Sequence, residues 1–306
     1  MGNPCDGIIL MDKNESITSF DVVKRVRKVL KINKVGHAGT LDPFATGLLI
    51  ILLGQGTKLS PFLMDTHKVY QATMRLGIKT ETQDLTGRVI QTKPVPKFER
   101  EYIKEIARGF IGEIEQVPPV FSALKYKGKR AYEFARKGIK VDLKSRKVKI
   151  HSLEMTSIDL PDMMMKVACS RGTYIRTLAS DLGERLGTGA YLIALRRLAI
   201  GPFNVKDALA SSNIGLDSAD KLRKAIIPLR EALPHIKGVL VDAHMAQKIR
   251  DGCQPRWEEE GTEIGSFDPP EYFVKIVSPR ELVAIIRVNR PSIDEKGGLK
   301  IMRVFC

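Results

Sequence analysis

The hydrophobic pattern predicts strands and helices alternating along most of the chain. Residues 48–53 are six consecutive apolar side chains (LLIILL), a length and composition typical of a buried strand. Residues 68–76 alternate as expected for a strand with one buried face. A capping-box signal at residues 18–21 precedes a helix, because apolar side chains recur there at helical spacing at Val22, Val23, Val26, Val29 and Leu30. The mixture predicts an α+β fold.

The same patterns predict the remaining elements. Further strands are expected at residues 7–12, 163–170, 272–277, 282–288 and 299–305. Helices are expected from Thr57 to Met64, at 99–110, after Tyr174, and through Leu192, Leu195 and Leu198, the last carrying Arg196 and Arg197. A boundary near 232–238 would divide a first domain, residues 1–234, from a small β-rich domain at 235–306.

A loop at residues 36–47 (GHAGTLDPFATG) combines three glycines, a histidine and a single carboxylate in front of the buried strand. Glycines let the backbone turn sharply or approach a ligand closely. Pro43 disfavours the α region for Asp42, so we expect that carboxylate to be held extended at a bend. Asp before Pro is also a common turn-forming pair, and a purely structural Asp42 is the simpler alternative.

Charge points to a polyanionic partner. The 306 residues include 50 Lys and Arg against 35 Asp and Glu, a net charge of +15. Clustered basic side chains bind phosphate backbones by releasing counterions, so nucleic acid is the leading candidate, and solubility charge is the alternative. Residues 125–149 hold eleven Lys and Arg against two acidic residues, a net of +9. The excess is therefore largely one local patch.

We call residues 118–149 the basic segment. Tyr126, Tyr132 and Phe134 are interleaved with its charges, a combination suited to gripping phosphates while offering rings to bases. The alternative is that these rings form the local core of a helix at 130–137.

Other residue types argue against metal sites and secretion. The cysteines show no CxxC or metal-ligand spacing and fit a reducing compartment, and the histidines form no HxxxH pair. The N-terminus lacks a basic leader with a long apolar core, and no stretch reaches transmembrane length. We therefore expect a cytoplasmic protein.

The motifs also narrow the chemistry of the loop at 36–47. It matches neither GxxxxGK[ST] nor GxGxxG, and the sequence offers no paired acid motif. A lone Asp in a basic protein fits a carboxylate acting as nucleophile or base on a nucleoside. An arginine would then hold it ionised, and a tyrosine would stack on the base.

Residues 36–47 resemble the signature of the TruB family, the bacterial tRNA pseudouridine-55 synthases. Further blocks in family order support the resemblance, at residues 68–70 (KVY), 82–87 (TQDLTG), 118–125 (PPVFSALK), 128–132 (GKRAY) and 169–176 (CSRGTYIR). It covers residues 5–230, while residues 236–306 resemble the family's PUA-like RNA-binding domain only weakly.

The resemblance implies a fold and a reaction. The fold would be that of the pseudouridine synthases, a mixed, largely antiparallel sheet with flanking helices and a central cleft. A flipped-out uridine in the T-arm loop of tRNA would become pseudouridine, its base detached from C1′ through N1 and rejoined through C5. No cofactor or metal is expected, and we expect a monomer without an obligate protein partner.

The resemblance also assigns roles to individual residues. Asp42 would be the catalytic carboxylate, attacking C1′ or deprotonating the ribose, and Arg176 would form an ion pair with it. Tyr70 would pack against the flipped base, with Tyr174 beside it as a candidate proton acceptor at C5. The basic segment would clamp the T-arm, and RNA would be bound by His37, Lys68, Asp84, Lys125, Lys129, Arg130 and Arg136.

Alternatives remain for the residues and for the whole protein. His37 alone is more often a satisfied loop histidine, and the motif around Asp84 also describes a plain turn. A guide-RNA-dependent pseudouridine synthase would share the Asp42 block, although the basic segment and the lack of an extended C-terminal tail favour the stand-alone enzyme. A non-catalytic tRNA-folding or RNA-binding factor would have no need of the Asp, Tyr and Arg set.

Overall fold

The computed structural model describes residues 5–122, 124–126, 128–135, 137–139, 141–215, 218–254, 271–289 and 298–306. Its strands are β1 (Gly7–Lys13), β2 (Val35–His37), β3 (Thr46–Leu53), β4 (Lys68–Leu76), β5 (Ile78–Thr80), β6 (Val89–Thr92), β7 (Gly112–Gln116), β8 (Lys125–Tyr126), β9 (Lys129–Arg130), β10 (Arg146–Asp159), β11 (Asp162–Cys169), β12 (Ala190–Ile200), β13 (Phe203–Asn204), β14 (Leu209–Ala210), β15 (Ile227–Pro228), β16 (Lys237–Leu240), β17 (Glu271–Val277), β18 (Leu282–Asn289) and β19 (Gly298–Val304). Its helices are α1 (Ser19–Leu30), α2 (Ser60–Met64), α3 (Arg100–Arg108), α4 (Ala131–Ala135), α5 (Ile175–Arg185), α6 (Ala219–Lys224) and α7 (Ala243–Arg250), with 3-10 turns at Gly54–Leu59, Val205–Asp207 and Ser211–Asn213.

One large mixed sheet organises the first part of the chain. Its strands follow the order β14–β1–β3–β12–β4–β11–β10–β7, with β13, β15 and β2 pairing at β12, β1 and β3. The β1–β14 and β3–β12 pairs are parallel, and the other pairs are antiparallel. The expected mixed, largely antiparallel sheet is confirmed.

Strand β3 is buried on both faces, which explains its uninterrupted apolar sequence. Alternate side chains enter two cores: Leu49, Ile51 and Leu53 face one, and Leu48, Ile50 and Leu52 face the other. Helices α1, α3 and α5 close the first core, while α2, β17 and β18 close the second. The loop that precedes β3 is therefore attached to one of the most completely buried strands of the sheet.

A second sheet, β16–β17–β18–β19, packs with α7 around its own small core. It also contacts the first sheet's second core, where the rings of Phe62 and Phe273 meet edge to face at 5.1 Å. Nearby, Lys58 donates a hydrogen bond to the carbonyl of Val304 at 2.7 Å. The β-rich C-terminal part is confirmed, and the division between residues 234 and 235 stays a prediction.

One predicted helix is wrong. Residues 190–200 form strand β12, not a helix, and β12 lies in the middle of the sheet between β3 and β4. Register shifts between Leu192 and Ala194 and between Arg197 and Ala199 break the period-two alternation. Leu192 and Leu195 are consequently both buried although they are three residues apart, a spacing that imitates a helix.

The other predictions differ from the structure mainly at element ends. Helix α1 begins with the capping box between Thr18 and Asp21, and the helix predicted at 99–110 is α3. The helix predicted from Thr57 divides into a 3-10 turn and α2. Among the residues that the structure describes, no helix is long and apolar enough to span a membrane.

Candidate active site

The loop at residues 38–45, here called the Asp42 loop, connects β2 to β3 and is held from one side by β1 and α1. The hydroxyl of Ser19, the first residue of α1, accepts a hydrogen bond from the backbone N–H of Leu41 at 2.9 Å. Lys13, the last residue of β1, is fully buried, and its ammonium donates to the carbonyl of Pro43 at 3.1 Å. These two contacts fix the backbone on both sides of Asp42.

Arg197 on β12 also holds the Asp42 loop, through hydrogen bonds to backbone carbonyls. Its guanidinium donates to the carbonyl oxygens of Leu48 at 2.7 Å, Gly39 at 3.0 Å and Thr40 at 3.4 Å. Gly47 lets the two backbones meet, since an added Cβ would lie 2.3 Å from the Arg197 carbonyl oxygen, and its φ is +101°. No carboxylate among the described residues forms a salt bridge with Arg197, so backbone carbonyls of the Asp42 loop and of β3 are its main partners.

Asp42 and Arg176 form the ion pair that the sequence predicts. Arg176 Nε lies 3.0 Å from Asp42 Oδ2, and Nη2 donates to Oδ1 at 3.3 Å. Arg176 lies in the first turn of α5 with 3% of its side chain exposed, whereas the Asp42 side chain retains 32%. The arrangement presents one accessible carboxylate against a buried cation.

Asp84 is the third member of this charge cluster. Its Oδ2 lies 3.3 Å from Arg176 Nη1, while Oδ1 accepts hydrogen bonds from the hydroxyls of Thr82 and Thr86, both at 2.6 Å. The side chain is 5% exposed, and all of these contacts are internal. Asp84 thus contacts Arg176 from within the protein, and an RNA contact by Asp84 stays a prediction.

The surroundings of Asp42 favour a reactive carboxylate. Burial raises its pKa above the ordinary value and Asp84 acts in the same direction, whereas Arg176 and Lys13 lower it. The opposing effects give a carboxylate that is more basic than a surface Asp yet has a cation beside it. Such a group can serve as a nucleophile or as a base.

Tyr70 belongs to the same site. It lies on β4 directly opposite Arg197 on β12, whose side chain acts on its phenol. Burial raises the pKa of its phenol, against a lowering by Arg197, and Asp42 is close enough to raise it further. Tyr70 thus offers a neutral ring beside the carboxylate.

Tyr174 precedes α5 and lies two residues from Arg176. The guanidinium of Arg146 covers its ring, with the central carbon 4.7 Å from the ring centroid. The structure thus places Tyr174 at the α5 end of the site, and its contact with a base stays a prediction.

His37 ends β2, immediately before the Asp42 loop. Burial and the charge of Arg197 lower its pKa, so the imidazole is neutral at pH 7. Its Nδ1 is buried with no hydrogen-bond partner among the residues that the structure describes. A satisfied loop histidine would have such a partner, and RNA binding by His37 would use the ring, not a positive charge.

Lys68 is buried, and its expected role in RNA binding stays a prediction. It is 7% exposed, and its ammonium donates to the carbonyls of Met64 and Thr66. Burial, followed by the charge of Arg197, lowers its pKa to about 8. Lys68 therefore stabilises the turn before β4, because its donors are directed into the protein.

The basic segment is described in part. Lys129 and Arg130 are exposed on β9, which forms a hairpin with β8. Arg136 and the side chain of Lys125 lie outside the described residues. The Tyr126 ring packs edge to face on that of Phe134 in α4 at 5.6 Å, as a local core would. Tyr132 is exposed, and contact of these rings with bases stays a prediction.

Sequence reasoning missed Lys13 and Arg197. The role of Arg197 was not predicted because residues 190–200 were assigned to a helix. Lys13 follows the strand predicted at 7–12, a position where a solvated lysine is the ordinary case. A lysine in phase with the buried positions of β1 was the available signal. In the described part of the chain, no three His, Cys, Asp or Glu side chains form a metal-binding group; the expectation of cofactor-free chemistry stays a prediction.

Two family models match the chain. The model of the TruB family pseudouridylate synthase N-terminal domain matches residues 27–175, and the model of the tRNA pseudouridylate synthase B C-terminal domain matches residues 176–234. Together they span more than half of the chain, and the boundary between them falls just before Arg176. The chain belongs to the TruB family.

Curated members of the TruB family are similar over nearly the whole chain. The tRNA pseudouridine synthase B of Geobacter sulfurreducens is 41% identical over 303 residues, 98% of this chain and 99% of that protein. The tRNA pseudouridine synthase B of Clostridium kluyveri is 47% identical over 247 residues, 81% of this chain and 84% of its own length.

Solved structures share the fold of this TruB family member. A crystal structure of a Cbf5–Nop10–Gar1 complex contains a chain that matches with a TM-score of 0.72 at 25% identity, covering 99% of this chain and 85% of that chain. An H/ACA RNP bound to a substrate RNA containing 2′-deoxyuridine matches with a TM-score of 0.70 at 24% identity, covering 98% of this chain and 85% of that chain. The pseudouridine synthase fold is confirmed.

Proposed function

We propose that this TruB family member converts the uridine at position 55, in the T-arm loop of tRNA, into pseudouridine. One observation carries the proposal: the accessible Asp42 carboxylate is paired with the buried Arg176 guanidinium at 3.0 Å. Relatives named tRNA pseudouridine synthase B, 41% and 47% identical, support the choice of tRNA.

The site supplies the groups that the isomerisation needs. The C1′–N1 bond breaks and a C1′–C5 bond forms; C5 loses a proton and N1 gains one, so the atoms balance without an outside reagent. Asp42 starts the reaction by attacking C1′ or by taking a proton from the ribose. Arg176 keeps the carboxylate ionised and oriented, because its fork contacts both carboxylate oxygens.

The uridine must leave the base stack to reach this carboxylate. Flipping costs a few kcal/mol, which phosphate contacts and stacking offset. Tyr70 provides a neutral ring beside Asp42, and the basic segment supplies cations, among them the exposed Lys129 and Arg130. We assign binding of the T-arm chiefly to that segment and the chemistry to the Asp42 loop.

The proposal extends to the setting of the reaction. We propose that the protein acts in the cytoplasm as a monomer. Free tRNA is its proposed substrate because the 41% identical relative, which covers 98% of this chain, is named tRNA pseudouridine synthase B. A guide-RNA-dependent enzyme is the second candidate, because a chain of the Cbf5–Nop10–Gar1 complex has the same fold.

The deciding experiment uses purified protein and an unmodified tRNA transcript, without guide RNA or added metal. Pseudouridine should be mapped at the T-loop uridine, and an Asp42→Asn variant should bind tRNA normally but make none. A transcript with that uridine replaced by cytidine is the matched substrate control.

Each other outcome selects a different function. Absence of product from the native protein with full tRNA binding would favour the RNA-folding factor. Product only after addition of a guide RNA would favour the guide-dependent enzyme. Loss of tRNA affinity in Asp42→Asn would show that Asp42 is structural.

A further inference from the structure

A buried glutamine holds the backbone of Tyr174. Gln116, the last residue of β7, is 1% exposed. Its Oε1 accepts a hydrogen bond from the Tyr174 N–H at 3.0 Å, and its Nε2 donates to the Tyr174 carbonyl at 3.2 Å. Both polar ends of this amide are therefore used on one residue, and Tyr174 is fixed at the point where α5 begins.

The strand opposite Gln116 holds the ring of the same tyrosine. Arg146 is the register partner of Gln116 in the β7–β10 pair, and its guanidinium lies over the Tyr174 ring. Arg146 also donates to the carbonyl of Gly172, in the turn before Tyr174. Gly172 has φ +80°, a left-handed backbone conformation that favours glycine.

The beginning of the basic segment contacts the next residues of α5 as well. Arg176 Nη2 donates to the Phe121 carbonyl at 2.9 Å, and the Thr177 hydroxyl lies 3.5 Å from the Val117 carbonyl. Within the basic segment, Phe121 near its start therefore contacts Arg176, and Arg146 near its end contacts Tyr174. A displacement of the segment would be transmitted directly to these two residues.

We infer that Gln116, just before the basic segment, and Arg146, near its end, are positioning residues that set the backbone and the ring of Tyr174. The inference rests on the proposed function for its effect on rate. Gln116 fixes the backbone from which the Tyr174 side chain extends, and Arg146 fixes the plane of the Tyr174 ring. The basic segment and Tyr174 then move as one unit.

The test replaces Gln116 with methionine, which keeps the side-chain length and removes both hydrogen bonds. Gln71→Met is the matched control, because Gln71 is a half-buried glutamine on β4 whose amide contacts the sulfur of Met164. Protein labelled with 3-fluorotyrosine reports the ring by ¹⁹F NMR, with the Tyr174 resonance assigned as the one missing from Tyr174→Phe. Single-turnover rate and tRNA affinity are measured on the same samples, below their unfolding temperatures.

Gln116→Met should slow single turnover by about 10- to 100-fold, since small misplacements at a reacting centre have effects of this size. The tRNA dissociation constant should stay within about twofold of the native value, far less than the rate effect. The Tyr174 resonance should shift while the other tyrosine resonances do not. Arg146→Gln should also shift it, because the cation over the ring is removed.

Gln116→Glu adds a readout that a general loss of stability would not produce. The ionised carboxylate accepts from the Tyr174 N–H but cannot donate to the Tyr174 carbonyl, whereas the protonated acid can. The rate relative to native should therefore recover as the pH is lowered. This variant also keeps the inference testable if Gln116→Met does not fold.

A native rate in Gln116→Met, or a reduced rate with an unmoved Tyr174 resonance, would overturn the inference. A shifted resonance with a native rate would overturn it too, because the position of Tyr174 would then not matter for turnover. If the native protein itself made no pseudouridine, the proposed function would fail. The ¹⁹F measurements would still decide whether Gln116 and Arg146 position Tyr174.

Discussion

Asp84 Oδ2 lies 3.3 Å from Nη1 of Arg176, the guanidinium nitrogen that does not contact Asp42. Arg176 is therefore shared between two carboxylates, one accessible and one buried. Sharing limits how strongly Arg176 can lower the basicity of Asp42, and the charge of Asp84 raises the pKa of Asp42 as well.

Asp84→Asn should therefore lower the turnover rate without weakening tRNA binding. Arg176 would be free to pair fully with Asp42, whose pKa would fall, leaving a less reactive carboxylate. We expect a loss of about 10- to 100-fold in kcat, equivalent to about 1.4–2.7 kcal/mol. Single-turnover kinetics and filter binding measure the two quantities.

The control for this prediction is Asp162→Asn, which removes the partner of Arg75 at a more exposed ion pair. Equal losses of rate in both variants would contradict a specific role for Asp84.

The rate should depend on pH through Asp42 and Lys13. Activity requires ionised Asp42, whose pKa is raised, so the rate should fall with decreasing pH at values above the ordinary 3.8 of Asp. Burial lowers the pKa of Lys13 to about 8, so the rate should also fall as pH rises through about 8, where Lys13 loses the charge that faces Asp42. A pH profile of single turnover tests both limbs. Lys13→Arg keeps the charge and should remove the alkaline limb, and its persistence would assign that limb to another group.

Arg197→Met should loosen the Asp42 loop. The carbonyls of Gly39, Thr40 and Leu48 would lose their buried donor, which should reduce the free energy of unfolding by about 3 kcal/mol. The rate should fall as well, since Asp42 would no longer be held. Urea unfolding and single-turnover kinetics measure the two effects.

Arg196→Met is the matched control for this prediction. Arg196 is the preceding residue of β12, is 40% exposed and pairs with Asp12, so its loss should change stability by about 1 kcal/mol or less. Comparable effects of the two substitutions would show that loop contacts by Arg197 are unimportant.

The double substitution Lys129→Gln and Arg130→Gln should weaken tRNA binding and flatten its salt dependence. Each lost phosphate contact lowers the slope of log K against log salt by about 0.7–0.9, so two contacts should lower it by about 1.4–1.8. Binding isotherms at several salt concentrations give the slope. Arg223→Gln with Lys224→Gln, on the exposed surface of α6, is the charge-matched control. An unchanged slope would place the RNA surface elsewhere.

The sequence by itself determined much of this protein. The apolar run of β3, the capping box of α1 and the Asp42 block are local signals, because burial on both faces, helix initiation and a turn at Asp-Pro depend on neighbouring residues. The Asp42–Arg176 pair was also predicted, although 134 positions separate the partners, because the motif around each residue carried the resemblance.

Only the tertiary structure decided how that pair is supported. A register shift in β12 buries both Leu192 and Leu195 although their spacing is typical of a helix, and the sheet placed Arg197 against the Asp42 loop. Lys13, Lys68 and Asp84 look like surface charges in the sequence, yet each is buried with internal partners. Lys13 reaches the Pro43 carbonyl and Asp84 reaches Arg176 only because the fold brings distant residues together, and this proximity depends on strand order and register, which no local pattern in the sequence encodes.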